Sequence, residues 1–293
     1  MNSSLGLDRL EALDVHVHIE ADAHGRTSLD QELLDASAAY FRGTQPRMPT
    51  IADVAAYYRE RSIGAVVFTV DAETALGQSA PPSEEIADAA ADYADILIPF
   101  GSVDPLTGEA AVRRARRLVE QHGVRGFKFH PSLQAFQPND RAFYPLYAAL
   151  QEMGVPALFH TGQTGIGAGL PGGRRIKLRY SDPMLLDDVA ADFPELTIVL
   201  AHASIPWHDS AIAMATHKAN IFLDLSGWAP KYFPPQLVRV ANSVLRRKVL
   251  FGSDFPVITP DRWLADFAAL DVKPDVRPLI LKDNAARVLG LAS

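Results

Sequence analysis

Apolar runs of seven or eight residues recur along the chain: LDVHVHI (13–19), GAVVFTV (64–70), ILIPFGSV (96–103), VRGFKFH (124–130), VPALFHT (155–161), LTIVLAH (196–202), NIFLDLS (220–226) and KVLFGSD (248–254). Their near-continuous hydrophobicity predicts strands buried on both faces, as in a parallel sheet. Between them lie segments with apolar residues at helical spacing and charges on the remaining face, at 51–62, 84–94, 109–122, 143–153 and 183–193. The Asp182-Pro183 pair reads as a helix start, because the aspartate side chain can cap and proline fits the first turn. Strand and helix alternating eight times predict a (β/α)8 TIM barrel, with residues 1–293 forming a single domain. A doubly wound open sheet is the main competitor. It loses support because no GxGxxG follows the first strand and no GxxxxGK[ST] occurs. Two connections are long, at about 19–50 and 161–182, and in a barrel both lie over the C-terminal face, where active sites are built.

The polar residues at strand ends add chemistry to that picture. His16 and His18, His130, His160 and His202 sit at or near the C-terminal ends of four runs, and Asp254 ends the eighth. One buried histidine is more often a satisfied core residue than a ligand. Histidines at the same end of four strands are hard to explain that way, since those ends converge on one mouth. In HxH the two imidazoles share a strand face and enter the same cavity. Imidazole with carboxylate suits Zn²⁺, with Mn²⁺ or Fe²⁺ as substitutes, and leaves room for a water. By alternation Asp14 shares the face of His16 and His18, one layer deeper, and is expected to support them.

Composition narrows the classes. A net charge of −7 argues against non-specific nucleic-acid binding, and the absence of cysteine excludes disulfides, thiolate metal sites and cysteine nucleophiles. No stretch approaches the roughly 18 apolar residues that span a bilayer, and MNSSLGLDRLEA lacks the basic and apolar parts of a signal peptide. A cytoplasmic protein without membrane or nucleic-acid partners is expected.

The DVHVH, VPALFHTG, IVLAHAS and FGSDFP segments, with the KDNAARVLGL tail, resemble the metal-dependent amidohydrolase superfamily. The closest likeness is to its branch related to aminocarboxymuconate-semialdehyde decarboxylase, the amidohydrolase 2 group. The likeness covers nearly the whole chain in order. It implies one divalent ion, held by His16, His18, His160 and Asp254. It also makes His202 the histidine that polarises substrate or helps activate water, and Asp254 the proton shuttle. Lys128 and His130, two apart on the fourth strand, are expected to contact substrate. A carbamylated Lys128 bridging two metals, as in binuclear members, is the minority reading, and an ordinary core position the bland one. A homodimer is common among barrels of this branch.

The loop GQTGIGAGLPGGRRIKLRYSDP carries Arg174, Arg175, Lys177 and Arg179. A solvated basic surface is the usual meaning of such a run. Over a barrel mouth, Arg174 and Arg175 are also candidates for holding a carboxylate or a CoA phosphate. Phe41, Trp228, Tyr232 and Phe233 are candidate walls for an apolar or aromatic substrate. The favoured expectation is a hydrolase that attacks a carbonyl with activated water. Its specific version is C–C hydrolysis of an aromatic β-ketoacyl-CoA, such as 4-hydroxyphenyl-β-ketoacyl-CoA, in aromatic acid catabolism. The alternatives are non-oxidative decarboxylation of an aromatic or muconate-type acid, a lactonase, and a non-catalytic barrel that only binds a small ligand; the expected partner is an acidic or CoA-linked small molecule.

Overall fold

Eight parallel strands form in chain order: β1 (Ala12–His18), β2 (Ile63–Phe68), β3 (Leu97–Pro99), β4 (Phe127–Phe129), β5 (Ala157–His160), β6 (Ile198–Ala201), β7 (Ile221–Asp224) and β8 (Val249–Leu250). The computed structural model describes residues 5–22, 24–41 and 48–291. Regular ladders join β1 to β3 and β4 to β8. Bridges at both seams, Gly101 with Phe127 and Val17 with Phe255, close the ring. At one seam the Lys128 N–H donates to Gly101 O at 2.8 Å; at the other the Asp254 N–H donates to His16 O at 3.0 Å. The chain is therefore a (β/α)8 barrel, as the alternating pattern predicts.

Most ladders are shorter than the apolar runs. In β3 the regular ladder stops at Pro99, which has no N–H to donate, although the Phe100 N–H still reaches Val67 O at 2.9 Å. Past β8, the Phe251 N–H turns to Ile280 O in the C-terminal helical segment. The five expected helices are present within three residues of their predicted bounds, as Ile51–Arg59, Ser83–Ala91, Glu109–His122, Tyr144–Met153 and Leu185–Asp192. The first starts with a capping box, Thr50 and Asp53 each bonding the other's backbone N–H. Asp182 accepts from the Met184 N–H at 3.0 Å, so it caps the turn that leads into its helix.

The connection after β1 is not a plain loop. It contains the helix Gln31–Tyr40, which the periodic pattern did not single out, capped by Asp30 on the Leu33 N–H. Residues 42–47 of that connection lie outside the described residues. Leu29, Leu33 and Leu34 pack with Val70, Ala72 and Leu133, and Ile166, Leu170 and Ile176 lean against them. These residues belong to segments that follow strand C-terminal ends, so they form a second small core that roofs the barrel mouth. Arg174 strengthens it by bonding Asp30 Oδ2 at 2.7 Å and Glu32 Oε2 at 2.6 Å.

Arg114 ties three segments together. It donates two bonds to Glu84, at 3.0 and 2.8 Å, and one to Asp71 at 2.6 Å. Burial works against ionisation of Glu84, but the bonds from Arg114 and Arg117 outweigh it and hold the carboxyl down to about 2. A carboxyl depressed on folding contributes stability that is full above its unfolded value and lost as pH falls toward its folded one. Wild type is therefore expected to lose about 2 kcal/mol through this group between pH 4.5 and pH 2, and Glu84→Gln is expected to lack that component. Urea unfolding of both proteins at pH 5 and pH 3 measures it. Equal acid sensitivity of the two would remove Glu84 from the account.

Candidate active site

The register between β1 and β2 slips by one residue between Asp14 and Val17. This bulge breaks the strict alternation on which the placement of Asp14 beside the histidines depends. His16 and His18 face the cluster of strand-end groups, while Asp14 faces Tyr58 on the surrounding helix. Asp14 Oδ2 accepts from Tyr58 Oη at 2.8 Å and Ser253 Oγ at 2.5 Å, and Oδ1 from the Ser253 N–H at 2.9 Å and the His16 N–H at 3.0 Å. It is a fully satisfied clasp between β1 and the residue just before Asp254. Burial nevertheless pushes its carboxyl up to about 6.

His16 Nε2, His18 Nε2 and Asp254 Oδ1 lie 3.2–3.3 Å from one another. Donor atoms of His16, His202 and Asp254 also fall within 4.8 Å of each other, which draws in His202 as well. The His202 ring centre stands 4.8 Å from that of His16 and 5.0 Å from that of His160. All five expected groups therefore meet at one place. His160 Nε2 is buried there with no hydrogen-bond partner. A buried bare lone pair costs about 1–3 kcal/mol unless something fills it. Asp254 has φ +70°, a left-handed conformation that is strained for most residues other than glycine.

The electrostatics suit a cation. Burial pushes His16 and His160 well below the usual histidine value, and the nearby Lys128 charge pushes both the same way. Burial likewise brings His202 down to about 4. Asp254 resists its own burial, because His202 and His18 beside it hold its carboxyl down to about 2. For His18, burial is outweighed by bonds to Asp254 and Glu20, which push it up to about 9. Neutral imidazoles at His16, His160 and His202, one carboxylate and one orphaned nitrogen fit a divalent ion, whose binding would replace the proton that His18 shares with Asp254 and Glu20.

Lys128 is 1% exposed, and its ammonium donates to His16 Nε2 at 3.0 Å. Burial brings it down to about 8 against the pull of Asp254 and Asp224. His130 lies flat on His160 at 3.8 Å, and its backbone N–H is held by Gln134. The basic loop is placed differently. Arg174 is committed to Asp30 and Glu32, which weakens its case as a phosphate handle, while Arg175 is exposed and makes no ion pair among the described residues. Phe233 is 8% exposed and packs edge-on against the buried Trp263, so it belongs to the core and is not a substrate wall. Trp228 also leans on the core, Tyr232 is open to solvent, and Phe41 stacks edge-on with Tyr40.

Three site residues are absent from the sequence expectations. Asp224 ends β7 and accepts from His16 Nδ1 at 2.7 Å, Ser226 Oγ lies 2.6 Å from His202 Nδ1, and Glu20 lies 3.0 Å from His18 Nδ1. Asp224 carries the same signal as Asp254, a carboxylate closing an apolar run. Burial pushes it up to about 7, opposed by bonds from Ser226.

The family model described as Amidohydrolase matches residues 13–291. The chain belongs to the amidohydrolase family. This amidohydrolase is similar in structure to an uncharacterised TIM-barrel protein from Bordetella bronchiseptica, with TM-score 0.77 and 23% identity over 96% of this chain and 98% of that one. It is also similar to 5-carboxyvanillate decarboxylase from Sphingomonas paucimobilis, with TM-score 0.68 and 16% identity over 97% and 100% of the two chains. A 5-carboxyvanillate decarboxylase from Novosphingobium aromaticivorans, solved with manganese and a nitrobenzoic acid, matches with TM-score 0.67 and 15% identity over 98% and 97%. No curated protein sequence matches the chain significantly. Among the described residues, no helix is long and apolar enough to cross a membrane.

In this amidohydrolase Gly227 holds the door for His202. It has φ +72°, and a Cβ there would come 2.5 Å from His202 Nδ1. Gly227→Ala is therefore expected to lower turnover by about 10–100-fold by displacing the imidazole. It should also destabilise the fold by roughly 1–2 kcal/mol through backbone strain. Steady-state kinetics with urea unfolding separates the two effects, and an unchanged kcat would rule out the steric argument.

Proposed function

We propose that this amidohydrolase is a metal-dependent, non-oxidative decarboxylase of a small aromatic acid, with one divalent ion, Zn²⁺ or Mn²⁺, held by His16, His18, His160 and Asp254. The observation that carries the metal is the set of three mutually close donor atoms on His16, His18 and Asp254, together with the orphaned, buried Nε2 of His160, whose ring stands 5.0 Å from that of His202. Decarboxylation is favoured over hydrolysis by the solved decarboxylases that match nearly end to end. The buried Lys128 cation is a further support, as a counter-charge for a substrate carboxylate.

When bound, the ion supplies a positive anchor for substrate oxygens and stabilises negative charge on the ring. The protein's own groups do the rest. Lys128 faces the negative charge of the acid. Asp254, a carboxylate before substrate arrives, takes the proton given up by the hydroxyl of a carboxylated phenol and delivers it to the ring carbon that bears the carboxylate. The C–C bond then breaks, its electron pair stays with the ring, and CO₂ leaves. His202 Nε2 orients the substrate by a hydrogen bond. The roof over the mouth keeps bulk water away, so that protonation is confined to the positioned group.

Hydrolysis of a carbonyl would use the same groups with a water, and one experiment separates the reactions. Carboxylated phenols, lactones and an aromatic β-ketoacyl-CoA are incubated with metal-loaded enzyme in D₂O and, separately, in ¹⁸O water. Release of CO₂ with one deuterium at the vacated ring carbon is the expected result. Turnover confined to the lactones or the thioester, with ¹⁸O in the product and no CO₂, would overturn the decarboxylase reading.

A further inference from the structure

Ser226 is where two active-site histidines meet. Its Oγ lies 2.6 Å from His202 Nδ1, 3.0 Å from His16 Nδ1 and 2.7 Å from Asp224 Oδ2, and the residue is fully buried. Each contact needs one proton between two heavy atoms, and the hydroxyl has only one to give. The assignment can be read around the cluster. The Lys128 ammonium donates to His16 Nε2 at 3.0 Å, so that nitrogen is an acceptor and His16 carries its proton on Nδ1. His16 Nδ1–H then donates to Asp224 Oδ2 at 2.7 Å, which makes Asp224 the acceptor. Asp224 Oδ1 also takes the Ser226 N–H at 2.9 Å. With Asp224 as the carboxylate, the Ser226 hydroxyl proton goes to it, because two oxygens 2.7 Å apart with no proton between them repel. Its remaining lone pairs can only accept, so His202 donates from Nδ1.

We propose that Ser226, acting with Asp224, is a positioning residue that fixes both His16 and His202 in the Nδ1–H form, so that each presents a bare Nε2 to the reaction cavity. For His16 this resembles a carboxylate behind a metal-binding imidazole. For His202 the hydroxyl relays the same carboxylate one step further, so a single aspartate orients two rings. Gly252 and Gly227 make room for the arrangement. A Cβ at Gly252 would fall 2.2 Å from Asp224 Oδ1, and one at Gly227 would fall on the His202 ring. The proposal deepens the role given to His202 and rests on that reading only for its effect on turnover.

The test is long-range ¹H–¹⁵N NMR of ¹⁵N-histidine-labelled protein, with and without Zn²⁺, the His202 signals being those lost in His202→Gln. In wild type, His202 is expected to show a protonated Nδ1 and an unprotonated Nε2 in both samples. In Ser226→Ala, which removes one atom from a buried position, His202 is expected to lose that single form while His16 keeps its own. A wild-type spectrum with His202 protonated on Nε2 would overturn the proposal, whatever reaction the enzyme runs. So would a Ser226→Ala spectrum in which His202 is unmoved. On turnover, Ser226→Ala is expected to cost about 10-fold or more.

Discussion

Asp254→Asn is expected to lower kcat by at least about 10³-fold while leaving the fold intact. Positioned proton transfer contributes roughly 10²–10⁴-fold, and here the same carboxylate also touches two of the proposed ligands. Its Oδ1 stands 3.3 Å from both His16 Nε2 and His18 Nε2. Asparagine is the informative replacement for a backbone reason as well. Position 254 has φ +70°, where asparagine and aspartate are tolerated far better than alanine. Asp254→Asn thus removes the charge and the capacity to carry a proton without adding strain, whereas Asp254→Ala confounds the two. The Asp14 clasp on Ser253 holds the segment in place in either variant. Turnover kept above about a tenth of wild type, with circular dichroism and urea unfolding unchanged, would take Asp254 out of proton transfer.

The strand-end groups were legible because a barrel sends the C-terminal ends of all its strands to one mouth, so residue type and position on the run were enough. His16, His160, His202 and Asp254 follow from that rule alone. Asp224 obeys it too and was missed because a lone carboxylate inside IFLDLS reads as an ordinary strand end until its partner, His16, is seen 208 positions away in sequence. Asp14 departs from the alternation for a different reason. Alternation assumes an unbroken ladder, and a bulge carries no mark in a run where nearly every residue is buried. The roof helix Gln31–Tyr40 was hidden because its buried leucines, Leu33 and Leu34, meet side chains from other loops rather than the barrel wall. Arg174 shows the limit of charge patterning. The run of cations was visible, but not that Asp30 and Glu32 would be folded opposite it.

Removing divalent metal is the second large effect. Exhaustive chelation is expected to bring turnover below about 1% of the loaded enzyme, with recovery at one equivalent of Zn²⁺ or Mn²⁺. It should also lower the melting temperature. Ion present at about 1,000 times its Kd contributes about 4 kcal/mol to the folded state, which for a chain of this size corresponds to several degrees. The physical source of that coupling is visible in the cluster. His160 Nε2 is buried with no hydrogen-bond partner, and Lys128 stands 3.0 Å from His16 Nε2, so a cation would satisfy the first and compete with Lys128 for the second. His160→Ala discriminates the ligand role from packing. No protein group bonds that nitrogen, so apart from any ion the variant loses ring contacts there, including the flat stack on His130. Its affinity for Zn²⁺, read by competition with a chromophoric chelator, should fall by about 100-fold or more. His130→Ala loses the same stack and should keep one tight equivalent. Chelated wild type with full turnover and an unshifted melting temperature would sink the metal reading, and equal Zn²⁺ affinity in the two variants would remove His160 from the ligand set.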